Sequence, residues 1–138
     1  EPSHHITHLY NYVGQSYKTQ ELVDEVLHTL YFNDPNGLSG NEDCGQMSAW
    51  YILNAMGFYQ VCPGKPVYSI GRPLFDKTTI HLKGGKTFTI VTHNNSRENK
   101  YVQKMVLNGK ELKAPFFAHQ DMIDGGTLEL TMGGEPLK

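Results

Sequence analysis

The sequence has little of what marks several large classes of protein. Only two of its 138 residues are cysteines, too few for a disulfide-rich scaffold. Apolar runs stay well short of the roughly 20 residues that a membrane-spanning helix needs. Basic residues are not clustered and the net charge is −2, which argues against nucleic acid or an anionic membrane as a partner. Residues 1–5 also lack the charged start and apolar centre of a signal peptide.

What is present is the composition of a globular protein. Hydrophobic residues make up 38% and charged residues 19% of the chain. At 138 residues, the chain has room for one domain or at most two small ones.

Residues 1–60 carry helical periodicity. Apolar residues at positions 6, 9, 10 and 13 predict a first helix, which Gly14 ends. A second apolar stripe through Leu22, Val26 and Leu30 predicts another helix, with Thr19 as its N-cap. Turn chemistry at residues 33–37 then separates it from a third helix that ends at Gly57.

Residues 61–138 carry the alternation of strands. Residues 79–82 and 87–91 predict a hairpin, and residues 101–107 and 127–132 predict two further strands. Asn108-Gly109 is a strong hairpin turn. Several short strands without helices between them favour an antiparallel sandwich. The fold class is therefore α+β, with a helical segment at 1–60 and a β-rich region at 61–138.

The histidines near the N-terminus allow three interpretations. His4 and His8 are one helical turn apart and can share a face that binds a metal. A zinc protease motif would need glutamate where His5 stands. The imidazoles can instead be hydrogen-bonded at a helix start, or form a polar ligand pocket with Glu1.

Asn41, Glu42 and Asp43 place two carboxylates and an amide at the start of the third helix. An ionised carboxylate held there suits a general base that activates water. Ordinary capping is the other interpretation: Asp43 as N-cap, in a capping box with Gln46, and Glu42 facing solvent.

The sequence resembles the C-terminal part of the family 92 glycoside hydrolases, the calcium-dependent exo-acting alpha-mannosidases. The resemblance runs almost end to end, and its most specific block is Gly40-Asn41-Glu42-Asp43-Cys44-Gly45-Gln46-Met47-Ser48-Ala49-Trp50-Tyr51. Further matches are Glu1-Pro2-Ser3-His4-His5, Tyr10-Asn11-Tyr12-Val13-Gly14-Gln15 and Gly71-Arg72-Pro73-Leu74-Phe75-Asp76.

The resemblance implies an architecture and a reaction. Residues 1–60 would close an (α/α)6 catalytic barrel, and residues 61–138 would form the β-rich tail beside it. The reaction inverts the anomeric configuration, so that an acid protonates the leaving oxygen while a carboxylate base activates water. Asp43 would be that base, Glu42 an alternative base or orienting group, and Asn41 a supporting amide.

The same resemblance implies the binding residues. Glu1, His4 and His5 would bind a mannose-containing glycan, with exo-acting and alpha-1,2 specificity, and Glu1 would also be a ligand of Ca2+. The site of action would be periplasmic or extracellular.

The family's general acid has no match in this chain, so the resemblance also implies a fragment that is inactive alone and needs the remainder of its parent enzyme. The helices would then expose apolar side chains, or cover them by self-association. Those side chains are Leu22, Val26, Leu30 and Trp50. The competing hypothesis is a non-catalytic carbohydrate-binding or structural β-sandwich module, with Tyr59, Tyr68 and Phe116-Phe117 as candidates for an aromatic face.

Overall fold

The computed structural model describes residues 3–138 of the chain. The helical half consists of a 3-10 helix (Ile6–Val13), α1 (Ser16–Thr29) and α2 (Gln46–Met56). The elements that follow are β1 (Phe58–Tyr59), β2 (Val67–Ile70), β3 (Lys77–His81), a short 3-10 segment (Lys83–Gly85), β4 (Thr87–His93), β5 (Tyr101–Leu107), β6 (Lys110–Glu111), β7 (Phe116–Ala118), α3 (His119–Ile123) and β8 (Gly126–Gly133). The α+β class is confirmed.

The strands form two sheets, and one of them departs from the antiparallel prediction. The three-stranded sheet has the order β1-β2-β7 and is antiparallel. The five-stranded sheet has the order β3-β4-β8-β5-β6, and its β4–β8 pair is parallel. The last strand inserts between β4 and β5 and is antiparallel to β5. Alternation reports which face of a strand is buried and not which strand pairs with it, so the sequence could not show this insertion.

The core lies between the two sheets. Phe88, Ile90 and Leu128 of the larger sheet are almost fully buried. Phe117 of the smaller sheet stacks on Phe88, with 5.6 Å between ring centroids, and meets Phe58 edge-on at 5.7 Å. Phe117 is therefore a core residue, which removes it from the aromatic face that a carbohydrate-binding module would need.

Gly14 ends the first helix in the left-handed conformation, as predicted, with φ 73°. The prediction that Thr19 caps the second helix is wrong. The chain re-enters a helix directly at Ser16, so that Thr19 lies within α1 and is fully buried. Only one residue, the N-cap Gln15, separates the left-handed Gly14 from the new helix, which the apolar stripe alone does not reveal.

The 3-10 helix also buries a different face from the expected one. Residues three apart eclipse one another in a 3-10 helix. Ile6, Leu9 and Tyr12 therefore form one exposed row (48%, 44% and 49% exposed), whereas His8 and Asn11 form the buried row. The buried side of this helix, which hydrogen-bonds to β2 and α2, is therefore polar, and its exposed side is apolar.

The expected exposure of helical side chains is confirmed only in part. Leu30 is exposed, and Leu22 and Val26 are half-buried. Trp50 is buried, because it stacks on Tyr31 with ring centroids 5.9 Å apart. The most exposed apolar side chains of the helical half are instead Val13, Phe32 and Ile52.

Specific polar contacts hold α1 against the sheets. The backbone N–H of Val102 in β5 donates to Gln20 Oε1 at 3.0 Å. The buried guanidinium of Arg72 lies with Nε 2.9 Å from Asp24 Oδ1. Both contacts join residues of the helical half to the β-rich half, and together they fix the helix that precedes the acidic motif. Among residues 3–138, the helices are too short or too polar to cross a membrane.

Candidate functional site

The acidic motif lies on a backbone that turns with left-handed residues before α2. Asp43, Cys44 and Gly45 have φ of 53°, 56° and 91°. Gly45 occupies the N-cap position and no side chain caps the helix there. The predicted capping box of Asp43 with Gln46 is therefore wrong: the Asp43 backbone carbonyl, and not its carboxylate, accepts the Gln46 N–H at 3.2 Å. Consecutive left-handed residues are uncommon outside glycine and store strain, which concentrates at functional sites.

Glu42, and not Asp43, supplies the carboxylate that accepts a backbone N–H at the start of α2. Its Oε1 accepts the backbone N–H of Ser48 at 3.1 Å, and its backbone carbonyl accepts that of Met47 at 3.2 Å. Asp43 and Asn41 are exposed, and their side chains make no hydrogen bond to another residue within 3–138. The Glu42 carboxylate thus fastens the loop to the helix, and the Asp43 carboxylate stays available to water.

The Glu42 contact leads to a stability prediction. Glu42→Ala removes the acceptor of the Ser48 N–H, and we expect it to lower the free energy of unfolding by about 1 kcal/mol, as for the loss of other helix-start acceptors. Urea unfolding of the 138-residue chain measures this change. Glu42→Gln keeps an acceptor oxygen and should lose much less. Glu25→Ala, at an exposed position of α1, is the matched control; equal losses in Glu42→Ala and Glu25→Ala would contradict the proposed contact.

His4 is hydrogen-bonded to the same helix, α2. His4 Nδ1 lies 3.3 Å from Gln46 Nε2, and His4 Nε2 lies 3.0 Å from Met47 Sδ. The indole N–H of Trp50 donates to the His4 carbonyl at 2.8 Å. The histidine-rich segment and the acidic motif, which are far apart in sequence, therefore meet at the first turns of α2. Glu1 lies outside the described residues.

Of the remaining histidines in that segment, His5 is available and His8 is not. His5 is exposed and lines a cleft of about 230 Å³ together with Gln46 and Tyr59. His8 is fully buried, with Nε2 2.7 Å from Asn54 Oδ1 and Nδ1 2.9 Å from Ser69 Oγ. Burial lowers the pKa of His8 to about 4. His8 is thus the hydrogen-bonded structural histidine, and it does not share a metal-binding face with His4.

Tyr31 contributes to the site although the sequence did not single it out. Its hydroxyl donates to the Met47 carbonyl at 3.0 Å and so holds the first turn of α2. Burial, helped by the nearby negative charge of Glu42, raises the pKa of Tyr31 to about 12, which keeps the hydroxyl a donor. A tyrosine at the end of the second apolar stripe, just before turn residues, was the available signal.

A cavity of about 590 Å³ lies elsewhere, between Phe32, Asp34 and the Tyr51 face of α2. Residues 41–43 do not line it. We place the candidate site at residues 41–43 and not at this cavity, because the strained backbone and the unpaired carboxylate are at the motif.

A calcium ion takes six to eight oxygen ligands. Within residues 3–138 no three histidine, cysteine, aspartate or glutamate side chains come together as a metal-binding group.

Comparison with known proteins places these features in context. The family model described as the glycosyl hydrolase family 92 catalytic domain matches residues 1–134. An uncharacterized secreted glycosidase of Arthroderma benhamiae is 36% identical over 98% of this chain and 18% of its own length.

Solved structures of family GH92 enzymes also match this chain. A family GH92 alpha-mannosidase from Bacteroides thetaiotaomicron superposes with TM-score 0.92 at 39% identity, over 98% of this chain and 18% of its own. A family GH92 inverting mannosidase from Bacteroides thetaiotaomicron VPI-5482 gives TM-score 0.92 at 44% identity, over 99% of this chain and 18% of its own. The chain thus spans about 18% of the length of these relatives.

Proposed function

Because the chain belongs to glycoside hydrolase family 92, we propose that it acts as part of a longer, inverting, exo-acting alpha-mannosidase and supplies its general base. The substrate is a mannose-containing glycan with a terminal alpha-1,2 linkage. The observation that carries the proposal is the exposed Asp43 carboxylate on strained left-handed backbone, with no partner among residues 3–138.

In inverting hydrolysis the base removes a proton from water while the water attacks the anomeric carbon. An acid protonates the leaving oxygen on the opposite face, and roughly 6.5–9.5 Å between the two carboxyl groups leaves room for the water. Asp43 takes the role of base because its oxygens are unengaged. Glu42 takes an orienting role because the Ser48 N–H already occupies its Oε1. The Asn41 amide helps to hold the water.

The proposal also assigns the sugar-binding residues, the calcium ligand and the general acid. His5, exposed beside Gln46, contacts the sugar, and His4 does so or holds the segment in place. Glu1 supplies one oxygen to the family's Ca2+, with further ligands from outside the described residues. The general acid comes from a part of the parent enzyme that precedes this chain.

The architecture of the whole enzyme follows the same proposal. Residues 1–60 complete an (α/α)6 barrel, and residues 61–138 pack beside it. The exposed apolar side chains of Val13, Phe32 and Ile52 then contact the remainder of the enzyme instead of water. We place the enzyme outside the cytoplasm, as for its relative called a secreted glycosidase.

The test compares the 138-residue chain alone with a chimaera. In the chimaera, the chain replaces the matching segment of the Bacteroides thetaiotaomicron inverting mannosidase to which it is 44% identical. With calcium present, we expect the chimaera to release mannose from alpha-1,2-mannobiose, with beta-mannose as the first product seen by NMR.

The chain alone should release none, because it has no general acid. Circular dichroism and gel filtration establish that both proteins are folded. Turnover by the chain alone, or alpha-mannose as the first product of the chimaera, would refute the proposal.

A further inference from the structure

The side chain of Gln46 takes no part in capping α2 and is held by another residue. Only the backbone N–H of Gln46 bonds to Asp43, at its carbonyl, with 3.2 Å between the two atoms. The side-chain amide instead lies with Nε2 3.3 Å from Nδ1 of His4. Gln46 is exposed and lines the cleft of about 230 Å³ that His4 and His5 also line. It therefore lies between the acidic motif and that cleft.

The sulfur of Met47 determines how this amide is oriented. His4 Nε2 lies 3.0 Å from Met47 Sδ, and a thioether sulfur has no proton to donate. His4 Nε2 must therefore carry the imidazole proton and donate it to the sulfur. In neutral His4 the other nitrogen, Nδ1, is then an acceptor, so that Gln46 must present its NH2 group to it. Both nitrogens of His4 are used in this way, which makes His4 a positioning residue and not a sugar ligand.

This orientation leaves half of the Gln46 amide available. Among residues 3–138, Gln46 Oε1 accepts no hydrogen bond, and one N–H of Nε2 has no acceptor. His5, on the same cleft, is exposed and its side chain likewise makes no hydrogen bond within the described range. An acceptor and a donor on one held amide match a hydroxyl group, which both donates and accepts. Gln46 therefore offers a binding site for a sugar hydroxyl.

The stereochemistry of the proposed reaction identifies which hydroxyl this is. In inverting hydrolysis, the base and the leaving oxygen lie on opposite faces of the sugar ring. In the chair of an alpha-mannoside, the leaving oxygen is axial on one face and the 2-hydroxyl is axial on the other. The base and the 2-hydroxyl therefore share a face, so that a residue beside the base also lies beside the 2-hydroxyl. Gln46, whose N–H bonds to the Asp43 carbonyl, is such a residue.

From these contacts we propose that the side-chain amide of Gln46 binds the axial 2-hydroxyl of the terminal mannose. The inference rests on the proposed function for the identity of the base and of the sugar. In the gluco configuration the 2-hydroxyl is equatorial and does not point to the face of the base. Gln46 is thus a specificity-determining residue. It also favours the reaction itself, because hydrogen bonds to the 2-hydroxyl strengthen in the transition state.

The test measures kcat/KM of the chimaera for two disaccharides. One is alpha-1,2-mannobiose, and the other is the same disaccharide with a 2-deoxy terminal sugar. Gln46→Ala should lower kcat/KM for mannobiose about tenfold, as for the loss of one hydrogen bond. It should leave kcat/KM for the 2-deoxy disaccharide unchanged, because that substrate lacks the partner of the amide. A merely structural role of Gln46 would reduce both values equally.

Gln120→Ala is the matched control, because Gln120 is an exposed glutamine of α3 whose Nε2 donates to Asp124 at 2.8 Å. We expect it to change neither value. Gln46→Ala should stay folded, because alanine is a good helix former and the backbone N–H at this position is kept; circular dichroism checks this. Equal losses for both substrates in Gln46→Ala, or no loss for mannobiose, would overturn the inference.

The proposed function and this inference can fail separately. Turnover by the chimaera with equal losses for both substrates would reject the role of Gln46 and keep the general base. If the chimaera is folded but inactive, its affinities for methyl alpha-mannoside and for the 2-deoxy analogue, measured by calorimetry, test Gln46 without catalysis. Loss of the preference for methyl alpha-mannoside in Gln46→Ala would then support the inference. An unchanged preference, or no binding of methyl alpha-mannoside at all, would overturn it.

Discussion

Asp43→Asn is expected to lower mannose release by the chimaera roughly 10²- to 10⁴-fold, the usual contribution of a positioned general base. The substitution removes the basic oxygen and changes little else. Asp43 has φ 53°, and asparagine is among the residues that tolerate left-handed backbone best. Because the side chain is exposed and unbonded within residues 3–138, we expect the folding stability to change by less than about 0.5 kcal/mol.

Two control variants test whether the loss of activity is specific to Asp43 or follows from the loss of any nearby carboxylate. Asp34→Asn keeps the oxygen that accepts the Asn36 N–H at 2.9 Å, and should leave turnover unchanged. Glu42→Gln keeps the acceptor for Ser48 and should lose less than tenfold. The assay is the initial rate of mannose release at saturating alpha-1,2-mannobiose. A fully active Asp43→Asn, or a larger loss in Glu42→Gln than in Asp43→Asn, would move the base away from Asp43.

Features governed by local chemistry could be predicted from the sequence. Gly14 ends the first helix, and Asn108 and Gly109 turn the β5–β6 hairpin with φ of 49° and 80°. The hairpin between β3 and β4 pairs Thr79 with Thr89, as the alternation of the two segments requires. In each case, a few adjacent residues decide the backbone conformation.

Features decided by distant partners could not be predicted. The buried row of the 3-10 helix is polar because Ser69 and Asn54 supply hydrogen bonds from other elements. β8 separates β4 from β5, although nothing within its own residues selects those neighbours. The acidic motif was recognised as a block, but its capping was assigned to Asp43 because the left-handed turn at Asp43 and Cys44 leaves no mark in a capping pattern.

The second prediction with a large expected effect is a loss of folding stability in acid, caused by the buried His8. Asn54 Nδ2 donates to the Trp50 carbonyl at 2.9 Å, so its Oδ1 faces His8 and accepts the Nε2–H. Asn11 Nδ2 donates to Ser69 Oγ at 2.7 Å, which leaves the Ser69 hydroxyl proton for His8 Nδ1. The hydrogen bonds run in one direction, and only neutral His8 fits them.

Protonation must therefore oppose folding. Burial lowers the pKa of folded His8 from 6.5 to about 4, while the unfolded chain keeps the ordinary value. Between these pH values the unfolded chain binds the extra proton, so that stability is fully present above pH 6.5 and falls as the pH drops towards 4. The difference corresponds to about 3 kcal/mol.

His8→Leu isolates this contribution. The variant leaves Asn54 Oδ1 and the Ser69 hydroxyl proton without their His8 partner, and we expect it to cost about 2–4 kcal/mol at pH 7. Urea unfolding at pH 7 and pH 4.5 compares it with the wild type and with His81→Leu, a change at an exposed histidine.

All three proteins carry the same carboxylates, so the contribution of those groups cancels in the differences between them. The wild type and His81→Leu should therefore lose more stability between the two pH values than His8→Leu does. Equal losses of stability between pH 7 and pH 4.5 in all three proteins would contradict the prediction. They would mean that protonation of His8 does not destabilise the contact between the helices and the sheets.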